Sequence, residues 1–119
     1  MYEKIVQIAL LFDFYGQLLT EKQIEIIDMY YNNDLSLSEI SEQLGISRQG
    51  VYDTLKRAEK TLFEYEDKLS LVDRFVQQKE GLSSVNEMLD EILESGENDA
   101  ASIKNKIIDI KTYIEKLIE

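Results

Sequence analysis

Apolar and polar positions along this chain recur with helical rather than strand periods, and they divide it into a series of amphipathic segments. Residues 2–14 carry Tyr2, Ile5, Val6, Ile8, Ala9, Leu10, Leu11, Phe12 and Phe14. The pattern predicts a first helix that is covered from more than one direction and is ended by Gly16. Thr20-x-x-Gln23 has the form of a capping box, in which a hydroxyl accepts from first-turn amides and an amide side chain reaches back. Ile24, Ile27 and Tyr31 follow at helical spacing, so a helix is expected over 21–32, stopped by Asn32, Asn33 and Asp34. Ser36-x-x-Glu39 repeats the device ahead of Ile40 and Leu44, and Gly45 suits the positive-φ residue of a tight turn.

Ser47 then caps a further helix with apolar positions at Val51, Leu55, Ala58, Leu62, Tyr65, Leu69, Val72 and Val76, alternately four and three apart. This heptad seam predicts one long helix, roughly 40 Å over 51–76 at about 1.5 Å per residue. Phe63, Leu71 and Phe75 lie off the seam, so the helix is also expected to pack against neighbours. Gly81 is expected to break it, and Ser84-x-x-Glu87 to cap a short helix over 85–95 that ends at Ser95-Gly96. Gly96-Glu97-Asn98-Asp99 reads as a linker into a terminal helix over 99–118, with Ile103, Ile107, Ile110, Ile114 and Leu117 on one stripe. Such a stripe must dock on the long helix or on another subunit.

Composition agrees with helices. There is no Pro, and 31% of the residues are charged, which favours long helices and leaves few turn signals. The expected class is all-α. Neither Cys nor His occurs, which removes disulfides, thiolate and imidazole metal ligands, and the usual general base. A non-enzymatic protein with no cofactor is expected. Carboxylate pairs such as Glu64 with Asp67, or Asp90 with Glu94, have helical spacing but read as solvated faces. The densest apolar run, 5–14, is interrupted by Gln7 and Asp13 and falls short of the roughly 20 residues of a membrane span. No membrane insertion and a cytoplasmic location are expected.

Net charge is −11, which taken alone disfavours nucleic acid, because phosphate neutralisation supplies most of that binding energy. The distribution changes the picture: residues 1–46 carry −6, residues 47–60 carry +2 and residues 61–119 carry −7. The net-positive segment coincides with a motif. Residues 38–58 meet the requirements of a helix-turn-helix. Ser41 is small where two helices cross, Gly45 permits the turn, and Ile40, Leu44, Ile46, Val51 and Leu55 fill the space between them. Ser47 caps the second helix and leaves Arg48 and Gln49 in its first turn, where side chains reach base edges; Arg and Gln suit guanine and adenine. Tyr52 lies one turn on, and Lys56, Arg57 and Lys60 are placed to contact phosphates. Tyr30, Tyr31 and Tyr65 read as packing residues.

Residues 19–62, with LTEKQIEIIDMYY, LSLSEISEQLGIS and VYDTLKRAEKTL, closely resemble the final DNA-binding region of bacterial sigma factors. From MYEKIVQIALLFDFYGQLLT through YEDKLSLVDRF the chain resembles the YlxM family of helix-turn-helix proteins of Gram-positive bacteria, over about residues 1–75. The resemblance implies a regulator with a link to the signal recognition particle pathway. Two readings follow. In one the protein is a regulator that binds DNA or RNA through Arg48, Gln49, Tyr52, Lys56, Arg57 and Lys60. In the other the helix-turn-helix is a scaffold, and the partner is a basic protein or structured RNA of the signal recognition particle. Residues 1–60 are expected to form the helix-turn-helix domain and residues 61–119 a helical extension used for homodimerisation.

Overall fold

A computed structural model describes residues 3–96 and 98–119, so Tyr2, counted in the first apolar segment, and Glu97, counted in the linker, lie outside the described residues. Among those described there is no strand, and the class is all-α. The helices are α1 (Lys4–Tyr15), α2 (Glu21–Ile27), α3 (Leu37–Leu44), α4 (Arg48–Leu69), α5 (Leu71–Glu94) and α6 (Ala100–Ile118). One 3₁₀ turn, Gly16–Leu18, follows α1, and one wider π turn, Asp28–Asn32, extends α2. The chain forms two compact units, the first ending at Val72 and the second spanning Asp73–Glu119. The division expected after residue 60 falls inside α4.

In the first unit the local signals do what their chemistry requires. Thr20 Oγ accepts from the Gln23 amide at 3.2 Å while Gln23 Oε1 accepts from the Thr20 amide at 3.1 Å. Ser36 and Glu39 form the same reciprocal pair at 3.1 and 3.0 Å. Gly45 ends α3 at φ 67°, the left-handed conformation that a Cβ disfavours. Beyond α2, the Asn33 amide donates to the Asp28 carbonyl at 3.0 Å and Asn32 Nδ2 donates to Asp28 Oδ1 at 2.7 Å, so the helix widens as it stops.

α4 is the element on which α1, α2 and α3 pack. Val51, Leu55, Ala58 and Leu62 are buried against Ile8 and Leu11 of α1, Ile26 and Ile27 of α2, and Ile40 of α3. Each large aliphatic side chain so buried contributes about 1.5–3 kcal/mol. α1 departs from expectation: it buries Ile8, Leu11 and Tyr15 along one stripe, while Ile5, Val6 and Phe14 are exposed.

The single long helix expected over 51–76 is not formed. α4 stops at Leu69, Ser70 takes a left-handed conformation at φ 53°, and α5 starts at Leu71. The cause is tertiary. Tyr15 of α1 is 1% exposed, and its hydroxyl donates to Glu66 Oε1 at 2.6 Å while accepting from the Leu71 amide at 3.0 Å. Glu66 Oε1 also accepts from the Val72 amide at 3.0 Å. Two first-turn amides of α5 thus find acceptors that a continuous helix would not need. Tyr65 stacks on the Tyr15 ring at 5.8 Å and holds it there. The heptad seam is therefore divided: its first half fills the core of one chain, whereas Leu69 is exposed.

In the second unit α5 runs unbroken from Leu71 to Glu94, through Gly81 and Ser84, so neither the expected break nor the third capping box exists. α6 returns antiparallel to α5, with Leu117 against Gly81 at one end and Ile110 beside Met88 and Ile92 at the other. A Cβ at Gly81 would collide with both Leu117 methyl carbons. Glycine inside a helix costs about 1 kcal/mol relative to alanine, and close packing of Leu117 is its return here. Asp99 caps α6 by accepting from the Ala101 amide at 3.3 Å. Gly81, Val85 and Ile110 are buried, but Leu93 (81% exposed), Ile118 (78%) and Ile107 (53%) are not.

Candidate nucleic-acid interface

The turn between α3 and α4 is held by short-range hydrogen bonds. Ser41 Oγ donates to the Ile46 carbonyl at 2.5 Å, across the Gly45 turn. Smallness at a helix crossing is thus only part of its role; it also occupies a carbonyl of the connection. Ser47 Oγ accepts from the Gly50 amide at 2.9 Å, as an N-cap does. This leaves Arg48 and Gln49 exposed in the first turn of α4, with Tyr52 43% exposed one turn later.

Arg48, Tyr52 and Lys56 recur every four residues and therefore follow one strip of the α4 surface. Leu37 of α3, Arg48, Gln49 and Tyr52 line a shallow depression of about 390 Å³ at its start. The candidate residues differ in how they are held. Gln49 Nε2 donates to Asp53 Oδ1 at 2.9 Å. Lys60 lies 3.9 Å from Glu64. Lys56 lies 5.6 Å from the centre of the Tyr52 ring and 3.7 Å from Glu59. Arg48 and Arg57 make no ion pair with a described carboxylate.

Beside this strip the structure reveals a group that the motif did not indicate. Glu59 is 5% exposed, and its Oε1 takes Lys4 of α1 at 3.0 Å together with Lys56. Among the described residues its Oε2 is buried without a hydrogen-bond partner of good geometry. Hydrogen bonding to Glu59, more than the opposite charge itself, raises the Lys4 ammonium above its ordinary pKa. Burial, followed by the charge of Glu59 and hydrogen bonding to it, raises the Tyr31 hydroxyl well above the ordinary tyrosine range. Glu59 also borders an open groove of about 620 Å³ that Tyr30, Tyr31, Leu35 and Tyr52 line. Its position was signalled by spacing: residue 59 follows Leu55 by four and precedes Leu62 by three, beside the buried stripe. Lys4 carried no comparable signal, because α1 and α4 meet only in the folded chain.

A two-helix unit with a glycine turn, a capped second helix and an exposed polar first turn defines a helix-turn-helix protein. The chain belongs to the UPF0122 family, whose model, described as "Putative helix-turn-helix protein, YlxM / p13 like", matches residues 2–106. A UPF0122 protein of Desulforamulus reducens is 51% identical over 110 residues, 92% of either chain. One from Thermoanaerobacter sp. strain X514 is 50% identical over 117 residues, 98% of either chain. One from Acetivibrio thermocellus is 60% identical over 77 residues, 65% of this chain and 66% of the relative. No helix among the described residues is long and apolar enough to cross a membrane.

Proposed function

We propose that this protein is a cytoplasmic, non-enzymatic regulator that binds nucleic acid, DNA in the first instance, by laying the first turns of α4 in a major groove. The observation that carries this reading is the exposed strip of Arg48, Tyr52 and Lys56 at a capped helix start, with Gln49 beside it. Arg48 and Gln49 supply base-edge contacts; Lys56, Arg57 and Lys60 supply phosphate contacts. The exposed Leu93, Ile107 and Ile118 of the second unit support homodimerisation there, which would pair two recognition helices.

The test is selection of a duplex from a random library, followed by anisotropy titration at several salt concentrations. The double variant Arg48→Ala, Gln49→Ala should bind at least tenfold more weakly, in keeping with about 1–3 kcal/mol for a good bidentate base contact. Undiminished binding at every salt concentration would overturn groove reading.

One observation favours a second reading, in which the fold is an adaptor for a protein or RNA of the signal recognition particle. Asp53, Glu59 and Glu64 already occupy Gln49, Lys56 and Lys60, so phosphates would have to displace them on a chain of net charge −11. Pull-down with the particle's protein and RNA, each separately, distinguishes the readings: recovery of neither beside duplex binding favours the regulator.

A further inference from the structure

The second unit is a pair of helices with little buried between them. Gly81 and Val85 of α5 and Ile110 of α6 are its buried residues, and a unit of this size does not close a core from one helix pair alone. Its remaining large aliphatic side chains form two rows. Leu82, Leu89 and Leu93 of α5 are exposed at steps of seven and four, and Ile107, Ile114 and Ile118 of α6 are exposed at the same steps. At about 100° per residue, each row lies roughly a quarter-turn from the stripe that meets the other helix, displaced in the same rotational sense on both. Because α5 and α6 run antiparallel, that common sense brings both rows to one side of the hairpin. Glu91 and Asp109 are displaced the opposite way and line one cleft with Met88 and Ile110, so the other side is the acidic one. Among the described residues the apolar side carries no carboxylate; Asn86, Lys104 and Lys111 occupy the positions between the two rows' members.

This side is complementary to a second copy of itself. Leu117 against Gly81 fixes the relative heights of the two helices. At about 1.5 Å per residue, Leu82 then falls between Ile114 and Ile118 in height, and Leu89 between Ile107 and Ile114. A two-fold axis parallel to the helices lays α5 of one copy over α6 of the other without altering those heights, so the leucines of each enter the gaps between the isoleucines of the other. The outer edges match as well. Lys79 on the edge of α5 comes within about one turn of Glu115 on the edge of α6, and Asp90 falls between Lys104 and Lys111. Within one hairpin these two edges point away from each other, so such pairs form only between copies. The six exposed aliphatic side chains present on the order of 700 Å², close to the roughly 800 Å² per partner of a standard interface.

We infer that the second unit is half of an antiparallel four-helix bundle, completed by a second copy of this chain that packs on the Leu82, Leu89, Leu93, Ile107, Ile114 and Ile118 face, α5 over α6. The inference rests on the homodimer reading above and adds the side chains that make the contact and their register; it holds whether or not α4 reads a duplex.

Sedimentation equilibrium of the full chain at about 0.15 M salt, from roughly 1 to 100 µM, tests it. The wild type is expected to be dimeric over most of that range. Leu82→Glu and Ile107→Glu should each weaken dimerisation at least tenfold, whereas Ile5→Glu, at an equally exposed position of the first unit, should change it less than twofold. Lys79→Glu should weaken it at least threefold, and Lys79→Glu combined with Glu115→Lys should return it to within twofold of wild type. Both charged positions are exposed, so this pair keeps the test decisive if Leu82→Glu or Ile107→Glu unfolds the hairpin. A dimer indifferent to Leu82→Glu and Ile107→Glu, or a double charge reversal no tighter than the single one, would overturn this interface and leave homodimerisation standing. A wild type still monomeric at roughly 100 µM would overturn both, and binding of that monomer to phosphatidylglycerol vesicles would assign the face to a lipid surface instead.

Discussion

Replacing Tyr15 by Phe removes one oxygen from a place where three polar groups converge. The ring stays, with its stacking on Tyr65 and its position among Ile8, Leu11 and Leu62, so hydrophobic burial is unchanged. Two interactions are lost: the 2.6 Å hydrogen bond to the Glu66 carboxylate and the 3.0 Å acceptance from the Leu71 amide. A hydrogen bond to a charged group is worth about 1.5–3 kcal/mol, and an amide deprived of its acceptor adds up to a similar amount. Leu71 is exposed, so water can meet its amide and most of the second loss is recovered. The expected destabilisation of the first unit is therefore about 2 kcal/mol, or roughly 10 °C in midpoint for a unit of this size.

Urea denaturation followed by tyrosine fluorescence measures the loss, and amide exchange places it. Leu71 and Val72 should exchange markedly faster in Tyr15→Phe, while the α2 and α3 amides lose only the global share. Burial, then the bond to Glu66, raises the Tyr15 hydroxyl above its ordinary pKa, so the fold favours its neutral form. That contribution is fully present below about pH 10, the unfolded value, and is lost as pH rises through the higher folded one. Wild type and variant should therefore converge in stability on the alkaline side. A midpoint change under about 0.5 kcal/mol with unaltered exchange at Leu71 would refute the claim that Tyr15 sets the break between α4 and α5.

Other outcomes follow from the same geometry. Gly45→Ala should cost about 1 kcal/mol by urea denaturation; the Cβ meets no atom within 4 Å, so the whole cost is backbone conformation at φ 67°. Ser36→Ala should lower stability by about 1 kcal/mol through loss of the α3 cap. The Ser36 amide, by hydrogen bonding, holds the Glu39 carboxyl below the usual range, so the box's contribution is present above about pH 4.3 and fades as pH falls through the lower folded value. An acid titration in which wild type and Glu39→Gln, which differ in that charge, never converge would contradict this. Gly81→Ala should change stability by less than about 1 kcal/mol, because alanine's helix preference offsets displacement of the flexible Leu117 end, whereas Gly81→Val should loosen α6 by about 1–3 kcal/mol. Amide exchange along α6 checks both.

What the amino-acid order alone determined is what can be completed within a few residues. The Thr20–Gln23 and Ser36–Glu39 boxes, the Ser47 cap and the Gly45 turn each close over three or four positions, so their residue types suffice. The helix-turn-helix and the exposure of Arg48 and Gln49 follow from them. Tertiary structure decided the rest. The heptad from Val51 to Val76 is locally consistent with one helix, and Ser70 breaks it because Tyr15, from the other end of the unit, supplies an acceptor to Leu71. Gly81 has the local character of a helix stop, yet α5 continues because Leu117 packs where a side chain would otherwise stand. Glu59 reads as one more acid in a basic segment until α1 brings Lys4 onto its carboxylate. In each case the deciding partner lies some thirty or more positions away, and no periodicity within a helix can report it.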